Sequence, residues 1–176
     1  MELFLKEEIT LNKLSTINIL LDENNSKFYT ILKNHLSNNL FSADKLEIAL
    51  KILKNTTILV KSKESYLIKN NFAILLILDN QEFLKKYKDK AIFIDVKKDD
   101  DNNNIPSFKE TISLVKNLSG YGSHLMHVSI YVLLKAQLNK DDCIELFDSN
   151  TFTIKDYITA VDISQSTFDR SRKSHE

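Results

Sequence analysis

Two glycines and one proline among 176 residues set the tightest limit on what this chain can fold into. A backbone that must take positive φ, or approach a phosphate closely, ordinarily uses glycines at short spacing. The only glycines are Gly120 and Gly122, in Ser119-Gly-Tyr-Gly-Ser123, and no third glycine follows at dinucleotide-site spacing. The pair reads as a hinge. No Gly-Lys-Ser/Thr phosphate loop and no His-Glu-x-x-His occurs. With so few glycines the loops are poorly suited to hold a substrate, so neither catalysis nor a cofactor is expected.

The chain is 43% hydrophobic and 27% charged, a soluble globular balance with enough apolar residues for a real core. Its length suits one ordinary domain or two small ones. Net charge is zero, which excludes coating of nucleic acid by bulk charge. Cys143 is the only cysteine, so there is no intrachain disulfide and no thiolate zinc cluster; it reads as an ordinary half-buried residue. The N-terminus mixes acids into its apolar residues and lacks a secretory core, and the longest apolar run, Phe72 to Leu78, is too short to span a bilayer. A cytoplasmic protein without membrane association is expected.

The patterning predicts an α+β fold: a small mixed domain over 1–97, a linker over 98–106, and a helical domain over 107–176. A strand is expected over 15–21 and a turn at Asp22-Glu-Asn-Asn25. Helical patterns follow from Ser26 to Leu40 and, capped by Ser42, from Ala43 to Lys54. Thr56–Lys61, Phe72–Leu78 and Ala91–Val96 are short apolar runs that read as strands. Asp79-Asn-Gln-Glu82 has capping-box spacing and opens a short helix. Lys97 to Pro106 has no apolar face to bury and reads as a solvated linker. Ser107-Phe-Lys-Glu110 is a second capping box, opening a helix through Leu118 that could pair two copies of the chain. Ser123 to Asn139 is apolar on nearly every face and should be a buried central helix. His124 and His127 lie three apart, but a metal needs three or four ligands, so a core or surface histidine pair is the better reading.

The last stretch carries the clearest signal. Ile154, Tyr157, Ile158 and Val161 form one helical face, Asp162 suits a positive-φ turn, and Ile163 can plug the turn. Ser164 caps a second helix anchored by Phe168. Apart from Asp169 and Ser171, the other residues of that helix are amides, hydroxyls, guanidiniums and an ammonium, the types that reach base edges and phosphates. They are Ser164, Gln165, Ser166, Thr167, Arg170, Arg172 and Lys173. The chain has 22 lysines and two arginines, and both arginines fall here. A guanidinium is a rigid bidentate donor where an ammonium is a point charge.

Thr153 to Lys173 resembles the helix-turn-helix of bacterial transcription regulators. The spacing is most similar to the first helix-turn-helix of AraC-type activators, and it is also similar to that of winged-helix regulators, where a long helix precedes the motif. The resemblance implies sequence-specific binding of double-stranded DNA by a homodimer, with the N-terminal domain sensing a small-molecule or protein effector. Two features depart from the pattern. Ser171 stands where a second apolar anchor is common, and no wing or second helix-turn-helix follows within the sequence, as expected of a fragment or a divergent group. Local charge is only +1 over 164–176. The competing reading is a non-enzymatic protein–protein interaction module whose C-terminal helical hairpin is purely structural.

Overall fold

The computed structural model describes residues 6–21, 23–35, 46–97, 105–119 and 126–173. The first strand, β1 (Lys6–Thr10), runs straight into a single helical turn, α1 (Leu11–Ser15), because the Thr10 hydroxyl accepts from the Lys13 N–H. Then come β2 (Ile19–Leu21), α2 (Glu23–His35), α3 (Leu46–Lys54), β3 (Thr57–Ser62) and β4 (Ser65–Ile68). Two short helices, α4 (Ile74–Asp79) and α5 (Gln81–Tyr87), precede β5 (Ala91–Lys97). Five helices complete the described chain: α6 (Ile105–Ser119), α7 (His127–Gln137), α8 (Lys140–Phe147), α9 (Ile154–Val161) and α10 (Gln165–Lys173).

The strands form one mixed sheet in the order β1-β5-β3-β4-β2. β1 lies antiparallel to β5 with Ile9 opposite Ile92, and β5 lies parallel to β3 with Val96 beside Leu59. β3 and β4 are antiparallel, and β2 is parallel to β4. Period-two alternation sends Ile92, Ile94 and Val96 inward and leaves Phe93 49% exposed on the other face. The fold is thus α+β: among the described residues the sheet lies in the N-terminal half with five helices, and five more helices follow it.

Several expectations need correction. Phe72–Leu78 is not a strand: its centre is α4, with Ile74, Leu76 and Ile77 buried. A short run that is apolar throughout has no period to distinguish the two states. Here Asn71 decides, at φ 53. Its buried amide donates to the carbonyl of Ile52 at 3.1 Å and to the Thr57 hydroxyl at 2.9 Å, turning the chain out of the sheet. Residues 23–25 are not a turn but the start of α2, whose Asn25 is buried and donates to the Ile68 carbonyl at 2.7 Å. The strand expected over 15–21 is confined to β2, while β1 and β4 carry no clear alternation in the sequence. The cap of α5 is Asn80 rather than Asp79, accepting from Phe83 at 2.9 Å. Ser107 and Glu110 form no capping box. The helix begins at Ile105, the Ser107 hydroxyl donates to the Asn25 side chain, and the Glu110 carboxylate accepts from the Ala73 N–H at 3.2 Å. Residues 36–40, Ser42, 98–104, Gly120, Gly122 and His124 lie outside the described residues.

Those last two bonds tie α6 to α2 and to the sheet's connections. The buried apolar residues form one connected core from Ile9 to Phe168, with α2 packed on both α6 and α7. In α6, Phe108, Ile112, Leu114, Val115 and Leu118 are all buried inside the chain, so none of these described apolar residues is left to pair two copies. The helix expected at 123–139 is described as α7, and it is not buried all round: Val132 is 55% and Leu133 37% exposed.

Candidate nucleic-acid interface

The α9–α10 pair stands on an aromatic cluster. Phe108 meets Phe147 and Phe152 edge-on at 5.7 and 5.4 Å, and Tyr131 reaches Phe152, Tyr157 and Phe168 at 5.5, 5.8 and 6.0 Å. Tyr157 and Phe168 close the set at 5.8 Å. Each such contact contributes about 0.5–1.5 kcal/mol beyond its buried area, so α9 and α10 are held to α7 by several at once. Burial raises the Tyr157 hydroxyl well above the usual phenol range, and that hydroxyl lies 2.9 Å from His127 Nδ1. His127 is itself buried, and the loss of solvent lowers its pKa. It is a core histidine hydrogen-bonded to a core tyrosine. Cys143 is fully buried, not half-buried, and burial pushes its thiol up.

Helix α9 starts at a reciprocal cap: Asp156 N–H donates to the Thr153 hydroxyl at 3.2 Å, and Thr153 N–H donates to Asp156 at 2.9 Å. Tyr157 and Val161 are buried and Ile158 is half-buried, but Ile154 is 41% exposed and drops out of the expected face. It sits in the first turn, ahead of the residues that reach the core. The helix stops at Asp162, which takes φ 61 and ψ 50 and whose carboxylate is held by Lys116 of α6 at 3.1 Å. Ile163 is half-buried against the core. The Ser164 hydroxyl accepts from the Thr167 N–H at 3.1 Å and starts α10.

Helix α10 has two unlike sides. Phe168 and Ser171 are buried, at 3% and 7% exposed. Ser171 explains its own departure from an apolar anchor, because its hydroxyl accepts from the Val128 N–H, 3.4 Å away in the first turn of α7. The first N–H groups of a helix have no partner within it, and a leucine at 171 could not supply one. On the other side Ser164, Gln165, Ser166, Asp169, Arg170 and Arg172 are exposed, and Thr167 is half-buried. Of the residues expected to contact DNA, five therefore lie on α10 and a sixth, Ser164, caps it, while the side chain of Lys173 lies outside the described residues. Five of the six make side-chain hydrogen bonds within the motif, the Ser164 hydroxyl lying 2.8 and 2.9 Å from those of Ser166 and Thr167. Gln165 donates to Asp169 at 3.0 Å, and Arg170 donates to the Ser166 carbonyl at 3.3 Å and the Thr167 hydroxyl at 3.4 Å.

No protein-family model, curated protein or solved structure matches this chain. The site therefore rests on its own geometry. Among the described residues no group of three or more His, Cys, Asp or Glu is placed to hold a metal ion, and no helix is long and apolar enough to cross a membrane. Sequence reasoning missed Glu110 and Asn71 as tertiary anchors. Nothing in their local spacing signals it, since their partners lie 14 to 37 residues away.

Proposed function

We propose that the chain is a sequence-specific DNA-binding transcription regulator that lays α10 in the major groove, acting in the cytoplasm without catalysis. One observation carries this reading. The buried side of α10 is fixed to α7 and α9 by Phe168 and Ser171, while its exposed side carries hydroxyls, an amide, Asp169 and, at its opposite edges, both arginines of the chain. A helix that reads bases must be held rigidly from behind and present donors in front. Bracing of Arg170 by Ser166 and Thr167 supports the same reading, because a side chain already ordered loses less freedom on contact. The turn at Asp162, tied to Lys116, supports a fixed angle between α9 and α10. A regulator of this kind pairs two copies to read a palindromic site. On this reading the pairing uses surfaces other than the described apolar residues of α6, which are buried in the core.

The test is selection of duplexes from a random-sequence pool with the full chain, followed by anisotropy titration at fixed salt. A selected site should bind at least a hundredfold more tightly than scrambled duplex. Arg170→Ala should weaken that site by roughly 5- to 150-fold, the worth of one base contact of about 1–3 kcal/mol. Recovery of no preferred sequence, or an Arg170→Ala variant of unchanged affinity, overturns the proposal. The second reading, docking to another protein, draws on exposed Val132 and Leu133 of α7. It predicts tolerance of both arginine changes and loss of partner capture on Val132→Asp.

A further inference from the structure

A cleft of about 600 Å³ opens between α3 and α6, within the size range of small-ligand sites. Its inner wall is apolar, built from Ile48 and Ile52 of α3, Ala73, and Leu114 of α6. Among the described residues Glu110 is the one carboxylate in the lining of this cleft, and Lys51 and Lys109 are its exposed cations. Asn55, Ser113 and Asn117 line it with exposed side chains that make no hydrogen bond among the described residues.

The carboxylate is held in place from the protein side. Ala73 N–H donates to Glu110 Oε1 at 3.2 Å, and the Asn71 and Phe72 amides also turn toward it. These amides are fixed by the left-handed Asn71 and its three side-chain bonds, to the carbonyls of Ile52 and Asn55 and the hydroxyl of Thr57. No ammonium among the described residues pairs with Glu110, nor does any acid pair with Lys51 or Lys109. Burial outweighs the amide bonds and lifts the Glu110 pKa to about 7. Its negative charge is therefore under-compensated, and a ligand cation would relieve it.

We propose that this cleft binds a short apolar peptide of about two residues as a zwitterion. The peptide ammonium pairs with Glu110, its carboxylate meets Lys51 and Lys109, its side chains lie on Ile48, Ile52 and Leu114, and its amide meets Asn55 and Asn117. A lone cation would be repelled by the lysines, and a lone anion by Glu110. A single amino acid would leave most of the volume to water. The site stands whether or not α10 meets DNA, because none of its residues belongs to α9 or α10.

The experiment is calorimetric titration of the full chain with L-leucyl-L-leucine, its N-acetyl form and its C-terminal amide. The dipeptide should bind with Kd below 1 mM. Removing the ammonium should weaken binding at least tenfold, and so should removing the carboxylate. Affinity should rise on the order of tenfold from pH 5.5 to 7.5 as Glu110 ionises while the peptide amine stays mostly charged. Glu110→Gln should remove that pH dependence, with folding checked by circular dichroism, and the exposed double change Lys51→Ala with Lys109→Ala should erase the difference between dipeptide and amide. Absence of sub-millimolar binding, equal binding of the acetylated form, or a pH-independent Kd overturns the proposal.

Discussion

Glu110 makes the stability of this protein depend on pH in the direction opposite to that of a salt-bridged carboxylate. Its pKa rises from an ordinary 4.5 to about 7 on folding because burial disfavours the charge more than three amide N–H groups favour it. Where the folded group holds its proton more tightly, the stabilising contribution is complete below the unfolded pKa and is lost as pH rises through the folded value. The loss thus runs from about pH 4.5 to about pH 7 and is flat beyond. At about 1.4 kcal/mol per pH unit the full span is worth about 3 kcal/mol, an upper figure because the cleft admits some water. Other carboxylates titrate in the same range, so the readout is a difference. Wild type and Glu110→Gln are unfolded in urea at intervals from pH 4 to 8.5, and their free energies are subtracted. Glutamine keeps an oxygen for the Ala73 N–H and cannot ionise. The variant should match wild type within about 1 kcal/mol at pH 4 and exceed it by up to about 3 kcal/mol above pH 7. A flat difference, or a wild type that gains on the variant as pH rises, would refute the argument that burial dominates.

Two further outcomes test the frame of α10. Phe168→Ala should lower unfolding free energy by about 3–5 kcal/mol, measured by urea titration, because the ring is nearly fully buried between Tyr131 and Tyr157. A loss under 1 kcal/mol would mean that α10 is not docked there. Asp162→Val should cost about 1–2 kcal/mol from the left-handed backbone alone, whereas Asp162→Gly should be tolerated, the comparison being read from midpoints of the same titration. Equal effects of the two would contradict the turn.

Legibility in the sequence followed how local the cause was. The stop at Asp162 and the cap at Ser164 depend on neighbours within a few residues, and helical spacing marks Phe168 as an inward position although its partners Tyr157 and Tyr131 lie farther along the chain. β5 was readable because one of its faces is covered and the other is not. Phe72–Leu78 was misread because its conformation depends on Asn71 reaching back to Ile52 and Thr57. Ser107 and Glu110 have the spacing of a local cap, yet each makes its bond to another part of the fold, Asn25 and Ala73 respectively. The polar run 98–104 separates sheet from helices along the chain, while those two bonds join them in space. In the candidate interface the polar side of α10 was legible, but the reason for Ser171 was not, since it lies in an N–H group of another helix.

The order of the strands also governs how the chain can be made. Among the described strands β1 pairs only with β5, so the backbone of Lys6–Thr10 has no strand partner until residue 95 has left the ribosome. At about 5–20 residues per second that is an interval of roughly 4–18 s with one strand waiting. A solitary apolar strand in that interval would recruit other nascent chains through its open backbone. β1 is Lys-Glu-Glu-Ile-Thr, three charges and a single buried isoleucine. The charges that make it hard to recognise as a strand also suit it to waiting: they keep the nascent edge solvated and mutually repelling until the late-made strand arrives.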